Sequence, residues 1–109
     1  ISNSDIADYY NQTLNHYQTW WKLEKVMALH YGISDGGTKK FAEELMNTNR
    51  LMAEMAELKT GEKVLDAGCG VGGSLFYIAQ HYGIRGIGCT LSEKQLQFAR
   101  KKAEQNYLE

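Results

Sequence analysis

Between Lys63 and Gly73 the chain changes its hydrophobic period, and that change limits the fold more than any other feature. Lys63-Val64-Leu65-Asp66-Ala67 reads as a short apolar strand, and Gly68-Cys69-Gly70-Val71-Gly72-Gly73 follows at once. Ser74 to Tyr82 then reads as a helix, with Leu75, Ile78, Ala79 and Tyr82 on one side and Gly83 as its stop. Glycines at a strand-to-helix junction let the backbone turn tightly and come within contact distance of a ligand. The helix N-terminal N–H groups beyond them favour an anion or polar group. Arg85 to Thr90 reads as a second strand, whose glycines predict close backbone approach. Ser92-Glu93-Lys94-Gln95 has the form of a capping box and opens a last helix with Leu96, Ala99 and Ala103 inward.

The residues before this unit read as helical. Ser4 is the expected N-cap of a first helix, with Asp5 and Asp8 in the turn where the helix dipole favours acids. A second helical stretch is expected from Tyr17 to Leu29, with an aromatic face that includes Trp20 and Trp21, and a loop from Gly32 to Thr38. Thr38 is the expected cap of a longer helix. Its inward face combines Phe41, Leu45, Met46, Met52, Met55, Ala56 and Leu58, with Asn49 as the one polar interruption, and Lys59-Thr60-Gly61-Glu62 ends it.

Composition removes several classes of function. A chain of 109 residues with 43% hydrophobic and 23% charged residues has the make-up of one small globular domain. Its net charge of −1 lacks the basic face on which nucleic-acid binding rests. Cys69 and Cys89 are too few and too far apart for a disulfide framework or a zinc site, and His16, His30 and His81 show no metal spacing. No apolar run approaches the roughly twenty residues of a membrane span, and no secretory leader opens the chain. A cytoplasmic protein without a metal is expected.

Gly68, Gly70 and Gly73 satisfy the G-x-G-x-x-G pattern, so a nicotinamide dinucleotide is one ligand to weigh. Asp66, two residues before the first glycine, would repel a pyrophosphate. The acid expected at the end of the second strand for a ribose hydroxyl is replaced by Thr90. A carboxylate at Asp66 favours a ligand that carries an ammonium or sulfonium group.

Val64-Leu65-Asp66-Ala67-Gly68-Cys69-Gly70-Val71-Gly72-Gly73 resembles motif I of the class I S-adenosylmethionine-dependent methyltransferases. Gly88-Cys89-Thr90-Leu91-Ser92-Glu93-Lys94-Gln95 is similar to the T-L-S-x-x-Q variant of the next motif. That variant marks the small-molecule branch of cyclopropane fatty-acid synthases, sterol C-methyltransferases and tocopherol methyltransferases. Tyr9-Tyr10, Trp20-Trp21, His30-Tyr31-Gly32 and Asn49-Arg50 resemble the helical N-terminal segment of these enzymes. The likeness covers nearly the whole chain.

The resemblance implies an α/β fold in which a helical cap over residues 1–60 precedes the first β-α-β-α of a Rossmann-like domain over residues 61–109. It implies that Gly68, Gly70 and Gly72 wrap the methionine and ribose part of S-adenosylmethionine, with the backbone of Cys69 beside them. Asp66 would orient the loop and receive the ammonium. Thr90 departs from the acid most class I enzymes carry, so the ribose falls to the Thr90 hydroxyl and the Gln95 amide, with Leu91 along the adenine or ribose. Tyr31 would close over the methionine end, where its ring can attract the sulfonium. Beside these roles stand plainer ones: Gln95 completing the capping box, Thr90 ending a strand, Tyr31 in an aromatic core with Trp20 and Trp21.

In that fold seven strands are expected, and two are legible here. The chain is therefore expected to be the N-terminal piece of a longer enzyme whose product is S-adenosylhomocysteine, with the catalytic base and the acceptor side coming from later strands. Its acceptor is expected to be a small molecule such as a lipid, a sterol or prenyl compound, an amine or a phenol. Unpaired sheet edges predict a homo-oligomer. A nicotinamide-dependent oxidoreductase fragment and a non-catalytic interaction domain are the alternatives.

Overall fold

The computed structural model describes residues 1–20 and 40–106. Helix α1 spans Asn3–Trp20 and α2 spans Phe41–Met55; strand β1 is Lys63–Asp66, α3 is Gly73–Tyr82, β2 is Arg85–Gly88 and α4 is Glu93–Gln105. The two strands run parallel, with Lys63 paired to Arg85 and Asp66 to Gly88.

That register sorts the side chains. Val64 and Gly86 lie level, on the face that meets α3, where Ala53, Ile78 and Ile84 form the buried cluster with Val64, Leu75 and Tyr82 around it. Each such side chain, once buried, contributes about 1.5–3 kcal/mol. Leu65 and Ile87 lie level on the opposite face and are exposed. A Cβ on Gly86 would come 2.6 Å from Leu75, so α3 packs this closely because β2 is bare there. Helix α2 packs on α3, and α1 packs on α4.

Four details differ from the sequence expectation. The first helix begins at Asn3 and is capped by Ser2, not Ser4: Ser2 Oγ accepts the Asp5 N–H, and the Asp5 carboxylate accepts the Ser2 N–H and hydroxyl. These bonds hold the Asp5 carboxyl below its ordinary range. Helix α1 also runs unbroken through Tyr17 to Trp20, so no new helix starts at Tyr17.

Helix α2 has Lys40 at its N-cap position, without a side-chain bond; Thr38, the expected cap, lies outside the described residues. It ends at Met55, with Glu57 in the left-handed region, before the turn at Lys59. Its buried stripe is Leu45, Asn49 and Ala53, whereas Met52, Met55 and Ala56 are exposed. The helix has turned these last residues past α3: Met52 and Ala56, with Leu65, border an open apolar groove of about 540 Å³ along β1.

Candidate functional site

The C-terminal ends of β1 and β2 meet at one cleft of about 370 Å³. Two backbone bonds join the strand ends across it, Cys89 N–H to Asp66 O and Cys69 N–H to Cys89 O, both 2.9 Å. The Asp66 carboxylate accepts the Gly68 N–H at 3.3 Å, which folds the loop back on its own strand. Its second oxygen has no partner among the described residues.

The glycines of the loop divide by what each position demands. Gly70 and Gly72 have φ of +54° and +89°, in the region that disfavours side chains. Gly72 is buried behind the cleft wall as the N-cap of α3, and a Cβ there would lie 3.1 Å from the Phe76 ring. Gly68 is different: its backbone is not left-handed, and a Cβ would meet nothing within 4 Å. Nothing among the described residues requires glycine at Gly68, which lines the cleft. The space its missing side chain leaves lies open to a ligand.

The other wall comes from β2 and α4. Thr90 Oγ1 donates to Gln95 Oε1 at 2.9 Å and accepts the Ser92 N–H at 3.2 Å. Ser92 Oγ accepts the Gln95 N–H at 3.2 Å, so one half of the capping box forms; Thr90 takes the bond that Gln95 would have made in the other half. Gln95 is 3% exposed yet lines the cleft, with no acceptor for its amide hydrogens among the described residues. Buried polar groups are usually paired, so this amide marks where a ligand's acceptors belong.

Of the residues singled out from sequence, the cleft gathers Asp66, Gly68, Cys69, Gly70, Thr90, Leu91 and Gln95, while Gly72 stands behind it. Tyr31 lies outside the described residues. Burial, with the negative charge of Asp66 next in weight, raises the Cys69 thiol above its ordinary pKa, so it remains a neutral packing group. Sequence reasoning missed Ile6 and Tyr10, which α1 brings to the cleft, and Ser74, at the start of α3. Ser74 donates to Asn49 at 2.6 Å. That bond accounts for the polar residue in the apolar stripe of α2, the one signal that pointed there. No group of three or more metal-ligating side chains occurs among the described residues.

Comparison with known proteins adds to this geometry. The family described as mycolic acid cyclopropane synthetase matches residues 3–109. Phosphoethanolamine N-methyltransferase 3 of Arabidopsis thaliana is 40% identical over 126 residues, covering 94% of this chain and 25% of its own length. A cyclopropane synthase from Mycobacterium tuberculosis superposes with a TM-score of 0.85 at 19% identity, over 95% of this chain and 36% of that one. Geranyl diphosphate C-methyltransferase from Streptomyces coelicolor A3(2), solved with S-adenosyl-L-homocysteine, gives 0.77 at 23% identity, over 95% and 43%. The two structures establish the shared Rossmann-like fold. The chain spans about a quarter of the length of its curated relative.

Proposed function

The chain belongs to the mycolic acid cyclopropane synthetase family of S-adenosylmethionine-dependent methyltransferases, and on that footing we propose that its cleft holds S-adenosylmethionine for methyl transfer to a small molecule. The observation that supports this reading is Gly68, a glycine that packing among the described residues does not need, lining a cleft with a carboxylate on one side and an amide without an acceptor among the described residues on the other. The bound cofactor supplies an activated methyl group for in-line attack.

Each residue then has a task. Gly68 and Gly70 admit the backbone to contact distance. Asp66 holds the loop through the Gly68 N–H and turns its remaining oxygen's charge toward the cofactor's ammonium. Thr90 holds Gln95 by its oxygen and leaves the amide hydrogens to the ribose hydroxyls, in place of a carboxylate. Leu91, half exposed, lies along the adenine. Residues 1–60 would act as a cap, and among the described residues of that segment Ile6 and Tyr10 reach the cleft; the role proposed for Tyr31, over the methionine end, falls outside the described residues.

Lipid, sterol or prenyl, amine and phenol acceptors all fit this reading, since the residues present build the cofactor side. We further infer that copies of these 109 residues associate through β1, whose outer edge is unpaired among the described residues beside exposed Leu65. No helix among the described residues is long and apolar enough to cross a membrane. The two cysteines are free, which supports a reducing, cytoplasmic setting.

The reading is tested by titrating the protein with S-adenosylhomocysteine and with reduced nicotinamide dinucleotide, before and after Asp66→Ala. Binding of the first that Asp66→Ala weakens at least tenfold is expected; preference for the dinucleotide would overturn it.

A further inference from the structure

We infer that Asn11, on α1, is a positioning residue for the adenosine end of the cleft, an inference that rests on the cofactor reading above. Asn11 Oδ1 accepts the Ser92 hydroxyl at 2.6 Å and the Lys94 N–H at 3.2 Å. The first turn of α4 is therefore capped from another helix, 81 residues away in sequence.

The bonds beyond Asn11 form a directed chain. Because Ser92 gives its proton to Asn11, its oxygen presents lone pairs to the Gln95 N–H. Ser92 N–H in turn goes to Thr90 Oγ1, and the Thr90 proton goes to Gln95 Oε1. Every donor in this run has one acceptor, and the run ends by facing the Gln95 amide hydrogens to the cleft. Ser92 is 1% exposed with Asn11 in place, so removing Asn11 takes the acceptor from a buried hydroxyl. It must instead compete for an acceptor nearer Thr90 and Gln95, while the Lys94 N–H loses its cap. Both changes loosen the turn that carries Gln95.

The same helix places Ile6 and Tyr10 on the cleft wall. Docking of α1 and occupation of the cleft are thus linked, and linked equilibria strengthen each other equally in both directions.

Asn11 acts through its oxygen alone, which makes the test sharp. Calorimetric titration of the protein, Asn11→Ala, Asn11→Leu and Asn11→Asp would use S-adenosylhomocysteine and 5′-methylthioadenosine, with denaturant unfolding of each variant alongside. Asn11→Ala and Asn11→Leu should weaken both ligands about tenfold, the weight of a helix cap. Asn11→Asp keeps the acceptor and adds negative charge at a helix N-terminus, so it should stay within about twofold of the parent. Unchanged affinity in Asn11→Ala with lowered stability would make the role merely structural and overturn the inference. So would a tenfold loss in Asn11→Asp, or a loss for S-adenosylhomocysteine that spares methylthioadenosine. A parent protein that binds neither ligand would instead overturn the cofactor reading beneath it.

Discussion

Thr90 holds Gln95 by its carbonyl oxygen, across 2.9 Å, and so decides which end of the amide faces the cleft. In the proposed function a threonine and a glutamine five positions apart take the place of the one carboxylate that ends the second strand in most enzymes of this fold. The difference has a chemical consequence. A carboxylate accepts from both ribose hydroxyls, whereas this pair offers two amide hydrogens to their oxygens.

Gln95→Leu should therefore weaken S-adenosylhomocysteine about tenfold or more, the worth of two lost hydrogen bonds. Gln95→Glu should lose less, because a carboxylate there still takes the Thr90 proton and can accept from the ribose hydroxyls. In a cycle with Thr90→Val, the second substitution should add little once the first is made. Calorimetry on the four proteins measures the coupling.

Cys69 and Cys89 should separate chemically. Cys69 lines the cleft and burial raises its thiol above the ordinary range, so its alkylation should need higher pH than that of a free thiol. Saturating S-adenosylhomocysteine should slow the reaction at Cys69 and leave Cys89 unchanged. Mass spectrometry of peptides from a timed alkylation reads both.

The two glycines of β2 should resist substitution for a reason that lies in packing. At Gly86 a Cβ would meet Leu75 at 2.6 Å, and at Gly88 it would meet Cys69 Sγ at 2.7 Å. Gly86→Ala should cost about 1–3 kcal/mol of stability, and by denaturant unfolding Gly86→Ala combined with Leu75→Ala should lose less than the two single losses added together.

Association of the 109-residue chain should depend on the open sheet face. Light scattering should find more than one copy per particle, and Leu65→Lys, which places a charge on that face, should shift the particles toward monomer.

What could be read from sequence follows from how local each feature is. The strand, loop and helix from Lys63 to Tyr82 were legible because the apolar spacing, the glycines and the stop at Gly83 all lie within one supersecondary unit. Thr90 and Gln95 were legible because their motif is contiguous, though not the direction of the bond between them. Asn11, Ile6 and Tyr10 carried no such signal: their importance comes from the docking of α1 on α4, a contact between distant parts of the chain. Met52 and Met55 were misplaced because helical spacing states which residues share a face, not how far the neighbouring surface extends.

If the gap at Gly68 belongs to the cofactor, as proposed, filling it should separate binding from stability. S-adenosylhomocysteine would be titrated calorimetrically into the parent protein and Gly68→Val, with the unfolding midpoint of each taken alongside. A Cβ at Gly68 meets nothing within 4 Å among the described residues and needs no left-handed backbone, so stability should be nearly unchanged while binding is lost. Undiminished binding by Gly68→Val would contradict the account, because the cofactor would then lie elsewhere.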